Sequence, residues 1–130
     1  MSAKRPLATA DAPQPAGAYS QGIVAGGLVF AAGQGGFDPQ TRELVADGIE
    51  AQTERALRNV EAVLRAHGGS LADVVKVSVF LADLDERAAM NRVFERMMPA
   101  PRPARTTVQA VLPVGLRVEL DAIAVVTERP

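Results

Sequence analysis

From Leu116 to Thr127 the side chains alternate as they do along an extended strand, and neither face suits open water. Leu116, Val118, Leu120, Ala122, Ala124 and Val126 share one face, fit for packing against helices. Arg117, Glu119, Asp121, Ile123 and Val125 share the other, polar at one end and apolar at the other. The β-branched run Val74–Leu81 behaves alike, with Val75, Val77, Val79 and Leu81 set against Val74, Lys76, Ser78 and Phe80. Any fold for this chain must therefore cover both sides of a sheet.

The remaining elements follow from local signals. The first 18 residues, rich in Pro and Ala, read as an irregular arm with room for one short strand. Gly22–Ala25 and Leu28–Ala32 flank Gly26-Gly27, a pair suited to the positive φ of a tight hairpin. A glycine-rich loop, Gly33-Gln34-Gly35-Gly36, and the turn signal Asp38-Pro39 come next. Asp47 is the expected N-cap of a helix carrying Ile49, Ala56, Leu57, Val60, Val63 and Leu64 on one stripe and ending at Gly68-Gly69. A second helix starts near Asp83 or Asp85, presents Met90, Val93, Phe94 and Met97, and is stopped by Pro99, Pro101 and Pro103. Thr106–Val111 reads as a strand, with a turn around Pro113 and Gly115 before the last one.

The order strand, strand, helix, strand, helix, strand, strand describes one α+β domain over residues 1–130, with both helices on one face of the sheet. Two helices cover only one face. The other is expected to be buried by self-association, which places its polar residues at a subunit boundary and makes that boundary the place for a site.

Composition limits the chemistry. There is no cysteine and one histidine, His67, so thiolate nucleophiles, Cys-based metal sites and paired imidazoles are excluded. A net charge of −1 and 4% aromatic residues argue against a nucleic-acid surface. The basic start Met1–Pro6 has no apolar region behind it, and no stretch approaches a membrane span, so a cytoplasmic protein is expected. Arg, Glu, Asp, Ser, Thr, Asn, Tyr and backbone amides remain.

Arg105, delivered to the start of a strand by the proline-stiffened Pro103-Ala104, offers a planar fork for a carboxylate; a solvated loop arginine is the plainer alternative. Arg102 lies in the same loop with nothing to single it out. Glu119, on one strand face with Asp121, could join it in holding a water, or Arg117 and Asp121 could simply neutralise the face as an ion-pair ladder. Gly33 lies in a loop able to present backbone amides to a ligand, though a structural hairpin exit fits equally. Tyr19 is the one tyrosine, and Asn91 is a weak helix former inside a helix, where a packing or hydrogen-bonding task would explain it. His67, at a helix end, is assigned no catalytic role.

In order along the chain, Tyr19-Ser20-Gln21, Ala32-Gly33-Gln34, Gln52-Thr53 with Asn59, Asp73–Lys76, Met90-Asn91, Pro103-Ala104-Arg105 and Val118–Ala124 resemble the RidA/YjgF family, some of whose members carry the label endoribonuclease L-PSP. The resemblance spans residues 13 to 126. It implies a chorismate-mutase-like fold assembled as a homotrimer with sites in the subunit clefts. It also implies hydrolysis of enamine and imine intermediates such as 2-aminoacrylate, released by pyridoxal-phosphate dehydratases, to 2-keto acids and ammonia with neither metal nor organic cofactor. By position, Arg105 would clamp the substrate carboxylate and Thr107 would line its pocket. Gly33 would offer backbone contacts, Glu119 would orient the attacking water, and Tyr19 and Asn91 would shape the cleft.

Ala18, Ala32, Thr107, the Gly35-Gly36-Phe37 segment and the proline-rich 97–103 loop depart from the family pattern, which bears on substrate identity. Two other functions stand beside the deaminase: a non-catalytic module binding small carboxylates or keto acids, and a ribonuclease or translation inhibitor. The net charge and the absence of clustered lysines oppose the latter.

Overall fold

The computed structural model describes residues 3–45 and 48–126. Asp47, expected to cap the first helix, and Thr127, expected to close the last strand, lie outside the described residues. The elements are β1 (Arg5–Leu7), β2 (Gly22–Ala25), β3 (Leu28–Gly35), α1 (Gly48–Arg65), β4 (Val74–Leu81), α2 (Arg87–Met97), β5 (Ala104–Gln109) and β6 (Val118–Val125). They form a six-stranded sheet in the order β1-β2-β3-β6-β4-β5, antiparallel except for the parallel pair β4–β5. Both helices pack on one face, so the α+β arrangement expected from the sequence is the one observed.

The core lies where the alternation places it. Val118, Leu120, Ala122 and Ala124 of β6 are buried, together with Val77, Val79 and Leu81 of β4. Against them α1 sets Ala56, Leu57, Val60, Val63 and Leu64, and α2 sets Met90, Val93 and Phe94. Each fully buried Leu or Val contributes roughly 1.5–3 kcal/mol of transfer free energy. The hairpin also forms as expected, because Gly26 and Gly27 take φ of 57° and 80° in the β2–β3 turn.

Four local readings need correction. Gly33-Gln34-Gly35 is not a loop: β3 runs on to Gly35 after a bulge between Ala31 and Gln34, pairing Gln34 with Leu120 and Gly35 with Glu119. The glycines serve close approach here, since a Cβ on Gly36 would lie 2.8 Å from the Cα of Gln52 in α1. Val75, expected on the covered face, is 45% exposed, because a register shift between Val74 and Lys76 turns Val74 inward instead. The second helix begins later than Asp83 or Asp85: a short 3-10 turn, Leu84–Glu86, capped by Asp83, precedes α2. β5 likewise starts earlier than Thr106 and stops at Gln109.

The irregular segments are held by buried side-chain amides. Gln21 donates to the carbonyls of Thr9 (3.0 Å), Ala12 (3.2 Å) and Pro13 (2.8 Å), and its Oε1 accepts from Thr9 N–H (2.7 Å). Gln52 donates to the Gly115 carbonyl (3.1 Å) and accepts from Arg117 N–H (2.8 Å). Asn59, fully buried, donates to the carbonyls of Gly35 (3.1 Å) and Phe37 (2.9 Å) and accepts from Arg55 Nε (3.2 Å). These amides pin the arm, the exit of β3 and the entry to β6.

Replacing Asn59 with Ala leaves two inward carbonyls without donors, each costing about 1–3 kcal/mol. Asn59→Ala is thus expected to lower the unfolding free energy by about 3 kcal/mol in urea titrations, and a change below about 1 kcal/mol would show that these bonds do not hold the β3 exit.

Candidate functional site

β5 carries Arg105 on the helix side of the sheet. It pairs with Val77, whose side chain is buried under the helices, and the parallel ladder keeps paired residues on one face. Thr107, opposite the fully buried Val79, shares that face. The Arg105 guanidinium lies 4.7 Å from the centre of the Phe94 ring and donates through Nη1 to Oδ1 of Asn91 at 2.7 Å. Its pKa is lowered from the ordinary arginine value, first by burial and then by the like charge of Arg87. An arginine stays cationic under such a shift. Among the described residues no carboxylate pairs with it, so the fork is oriented by a neutral amide and a ring while its charge stays uncompensated. Arg105, Asn91 and Phe94 line a cleft of about 350 Å³. Arg102, which the sequence set aside, lines it too, with Nη2 on the Glu95 carbonyl at 3.0 Å.

β6 carries Glu119 on the other face. Glu119 pairs with Phe80 and Gly35, and it stands three positions, an odd number, before the inward-facing Ala122 that pairs with Val77. The ion-pair ladder considered for this strand does not form, because Arg117 pairs with Glu86. Glu119 lies against Gly33 so closely that a Cβ there would sit 2.7 Å from its Oε2. Tyr19 completes this group: its ring is 53% exposed and its hydroxyl accepts from Ala16 N–H at 3.1 Å. Tyr19, Gly33 and Glu119 line a second cleft of about 430 Å³. The buried Gln34 and the cationic Arg42 line it as well, and neither was singled out for chemistry from the sequence. Gln34 belongs to a quoted motif, whereas nothing local announces that the turn carrying Arg42 folds back here.

The six expected site residues thus fall into two groups on opposite faces of one sheet. Arg105, Asn91 and Thr107 make one, Tyr19, Gly33 and Glu119 the other. Phe80, Ile123, Val125 and Phe30 stand half-covered or exposed on the Glu119 face. Among the described residues no three His, Cys, Asp or Glu side chains gather as metal ligands would. No described helix is long and apolar enough to cross a membrane.

This small α+β chain thus carries an unpaired, ring-backed arginine on one face of its sheet and a carboxylate set against a glycine backbone on the other. The family is shown by comparison with known proteins: the Endoribonuclease L-PSP family matches residues 9–126, and the chain belongs to this RidA/YjgF family. It is 44% identical over 123 residues to a RutC family protein of Pyrococcus abyssi, covering 94% of this chain and 97% of that one. It is 40% identical over 127 residues to a 2-iminobutanoate/2-iminopropanoate deaminase of Dermatophagoides farinae, covering 97% of this chain and 99% of the other. The crystal structure of RidA from the Antarctic bacterium Psychrobacter sp. PAMC 21119 superposes with a TM-score of 0.90 at 43% identity, covering 94% of this chain and 99% of that one. At the level of the family, these names attach to a deaminase-type hydrolysis.

Gly33→Ala tests the contact at the centre of the second cleft. The new Cβ would lie 2.7 Å from Glu119 Oε2, the free end of a flexible side chain, so the carboxyl is expected to swing to another rotamer in a crystal structure of the variant. Unfolding free energy should change by less than about 1 kcal/mol. A carboxyl left in place would contradict the close approach.

Proposed function

We propose that the protein hydrolyses 2-imino acids and their enamine tautomers, among them 2-aminoacrylate, 2-iminobutanoate and 2-iminopropanoate, to 2-keto acids and ammonia in clefts between three copies of the chain. The observation that carries this reading is the separation of Arg105 from Glu119 across the sheet. One copy cannot bring both to one small substrate, whereas a neighbour laid on the half-apolar open face can.

The chemistry asks little of the protein. The enamine takes a proton at its terminal carbon to become the imine, whose C2 is already electrophilic. Water adds its oxygen to C2, the proton it sheds passes to nitrogen, and the carbinolamine expels ammonia as C=O forms. In this scheme Arg105 holds the carboxylate through charge-assisted bonds, and Asn91 acts as a positioning residue that turns the guanidinium. Thr107 lines the carboxylate pocket. Glu119 orients the attacking water, Gly33 admits the substrate against the backbone, and Tyr19 closes the cleft. Pyridoxal-phosphate dehydratases acting on hydroxy amino acids would supply the substrate.

With the imine generated by such a dehydratase, Arg105→Ala is expected to lower kcat/KM by about 100-fold or more. Equal turnover by wild type and variant would refute the reading. Binding of 2-ketobutyrate without turnover would instead select the carboxylate-binding module.

The shared site makes a second prediction. Light scattering should give the mass of three subunits. Co-refolding Arg105→Ala with Glu119→Gln, each inactive alone, should restore about a quarter of wild-type activity, the fraction of clefts receiving both intact side chains. A mass near one subunit, or no restoration in a mixed trimer, would sink the intersubunit site.

A further inference from the structure

Arg42 is, among the described residues, the one non-glycine with a left-handed backbone, at φ +65°. L-residues avoid that region because Cβ crowds the following carbonyl, and arginine has none of the local hydrogen bonding that lets Asn or Asp settle there. The turn holding it is firmly built. Asp38 Oδ1 accepts from the N–H groups of Gln40 (2.8 Å) and Thr41 (3.0 Å), and Arg42 N–H donates to the Asp38 carbonyl (2.8 Å). The Thr41 and then the Gln40 N–H hold the Asp38 carboxyl below its ordinary value of 3.8. A bulky cation is thereby carried at a position that glycine would occupy without strain.

The place it is carried to gives this a meaning. Arg42 and Glu119 are the cation and the anion in the lining of the 430 Å³ cleft, whose apolar lining includes Phe37, Pro113 and Leu116. Among the described residues nothing accepts a hydrogen bond from the Arg42 guanidinium and no carboxylate pairs with it. A three- or four-carbon imine anchored at Arg105 and reacting beside Glu119 would leave most of this volume empty. Glu119 would also repel any second negative charge on the substrate unless a cation offset it.

We propose that Arg42 is a specificity-determining residue that receives a second carboxylate, so that the preferred substrates are imines and enamines derived from dicarboxylic 2-amino acids. For the reaction, this rests on the deaminase reading above; for the binding preference, it does not. The 2-carboxylate meets Arg105 of one copy, C2 lies beside Glu119 and Gly33 of the next, and the side chain runs along the apolar wall to Arg42.

The test compares imines made in place by flavin amino-acid oxidases from alanine, aspartate and glutamate, with semicarbazide trapping whatever the protein leaves. The ratio of kcat/KM for the dicarboxylic over the monocarboxylic imine is expected to exceed one in the wild type. It should fall about tenfold or more in Arg42→Gly and stay largely intact in Arg42→Lys. Gly takes φ +65° freely, so the variant keeps its fold. A ratio unchanged by Arg42→Gly, or a wild-type preference for the monocarboxylic imine, overturns the proposal.

If no imine is turned over, the deaminase reading fails alone, and calorimetry puts the same question. Wild type should bind 2-ketoglutarate or oxaloacetate more tightly than 2-ketobutyrate, and Arg42→Gly should lose that preference. Equal affinities in the wild type would overturn the assignment.

Discussion

Three buried amides, Gln21, Gln52 and Asn59, decide whether the rest of the structure can exist as it does. Strands hold themselves by their ladders, but the arm at residues 9–13, the exit of β3 and the segment leading into β6 have no ladder to hold them. The carbonyls and N–H groups that the amides bind are buried or part-buried, where an unpaired group is costly. Each amide has both donors and acceptors, so one side chain satisfies backbone groups of both kinds. Gln52 and Asn59 sit on the buried side of α1, and the helix therefore sets the course of the two strands that bear Gly33 and Glu119. Gly36 completes the arrangement, because any Cβ there would push α1 away from the strand it fastens.

From that frame the division of the chemistry follows. β5 runs parallel to β4 and takes its register from it, which turns Arg105 and Thr107 toward the helices. β6 runs antiparallel on the other side of β4 and turns Glu119 away from them. Held on opposite faces, Arg105 keeps its charge and Glu119 makes no ion pair with it. The neutral Asn91 and the Phe94 ring orient the guanidinium, and neither cancels its field.

Much of this was legible in the residues, for a physical reason that also marks where reading stops. The alternation of β6 and the helical stripes of α1 and α2 are local periodicities, and they survive folding because one side of each is buried. The Gly26-Gly27 turn is local too. The extension of β3 through Gly33 and Gly35 was illegible, since those glycines answer to Glu119 and to neighbours far along the chain rather than to a turn. Val75 was misplaced because a single register shift moves a side chain to the opposite face, and alternation alone cannot see the shift. The face of Arg105 depends on a parallel pairing across the α2 connection, beyond the reach of spacing. The resemblance to a family named six expected site residues, but only the pairing registers, the Arg105–Asn91 hydrogen bond and the cleft that Tyr19 lines divide them into two groups of three.

An imine carries its own electrophile, so little of the discrimination between substrates can come from acid–base strength. It must come from what the walls of the cleft accept. In the proposed reaction Arg105 would meet the carboxylate common to every 2-imino acid, and so could not tell one from another. Selection among them would then fall to the Glu119 side, whose cleft is lined by the largely apolar Tyr19, Phe37 and Leu116 and by the cationic Arg42. A backbone that tolerates a left-handed arginine there gives up some stability for a group the fold does not otherwise use. Of the departures from the family pattern, Gly35 and Phe37 line this cleft, whereas Thr107 and the Arg102-Pro103 end of the 97–103 loop lie on the Arg105 side. Differences in specificity within such a family would then arise by changing the wall around a reaction centre that stays constant.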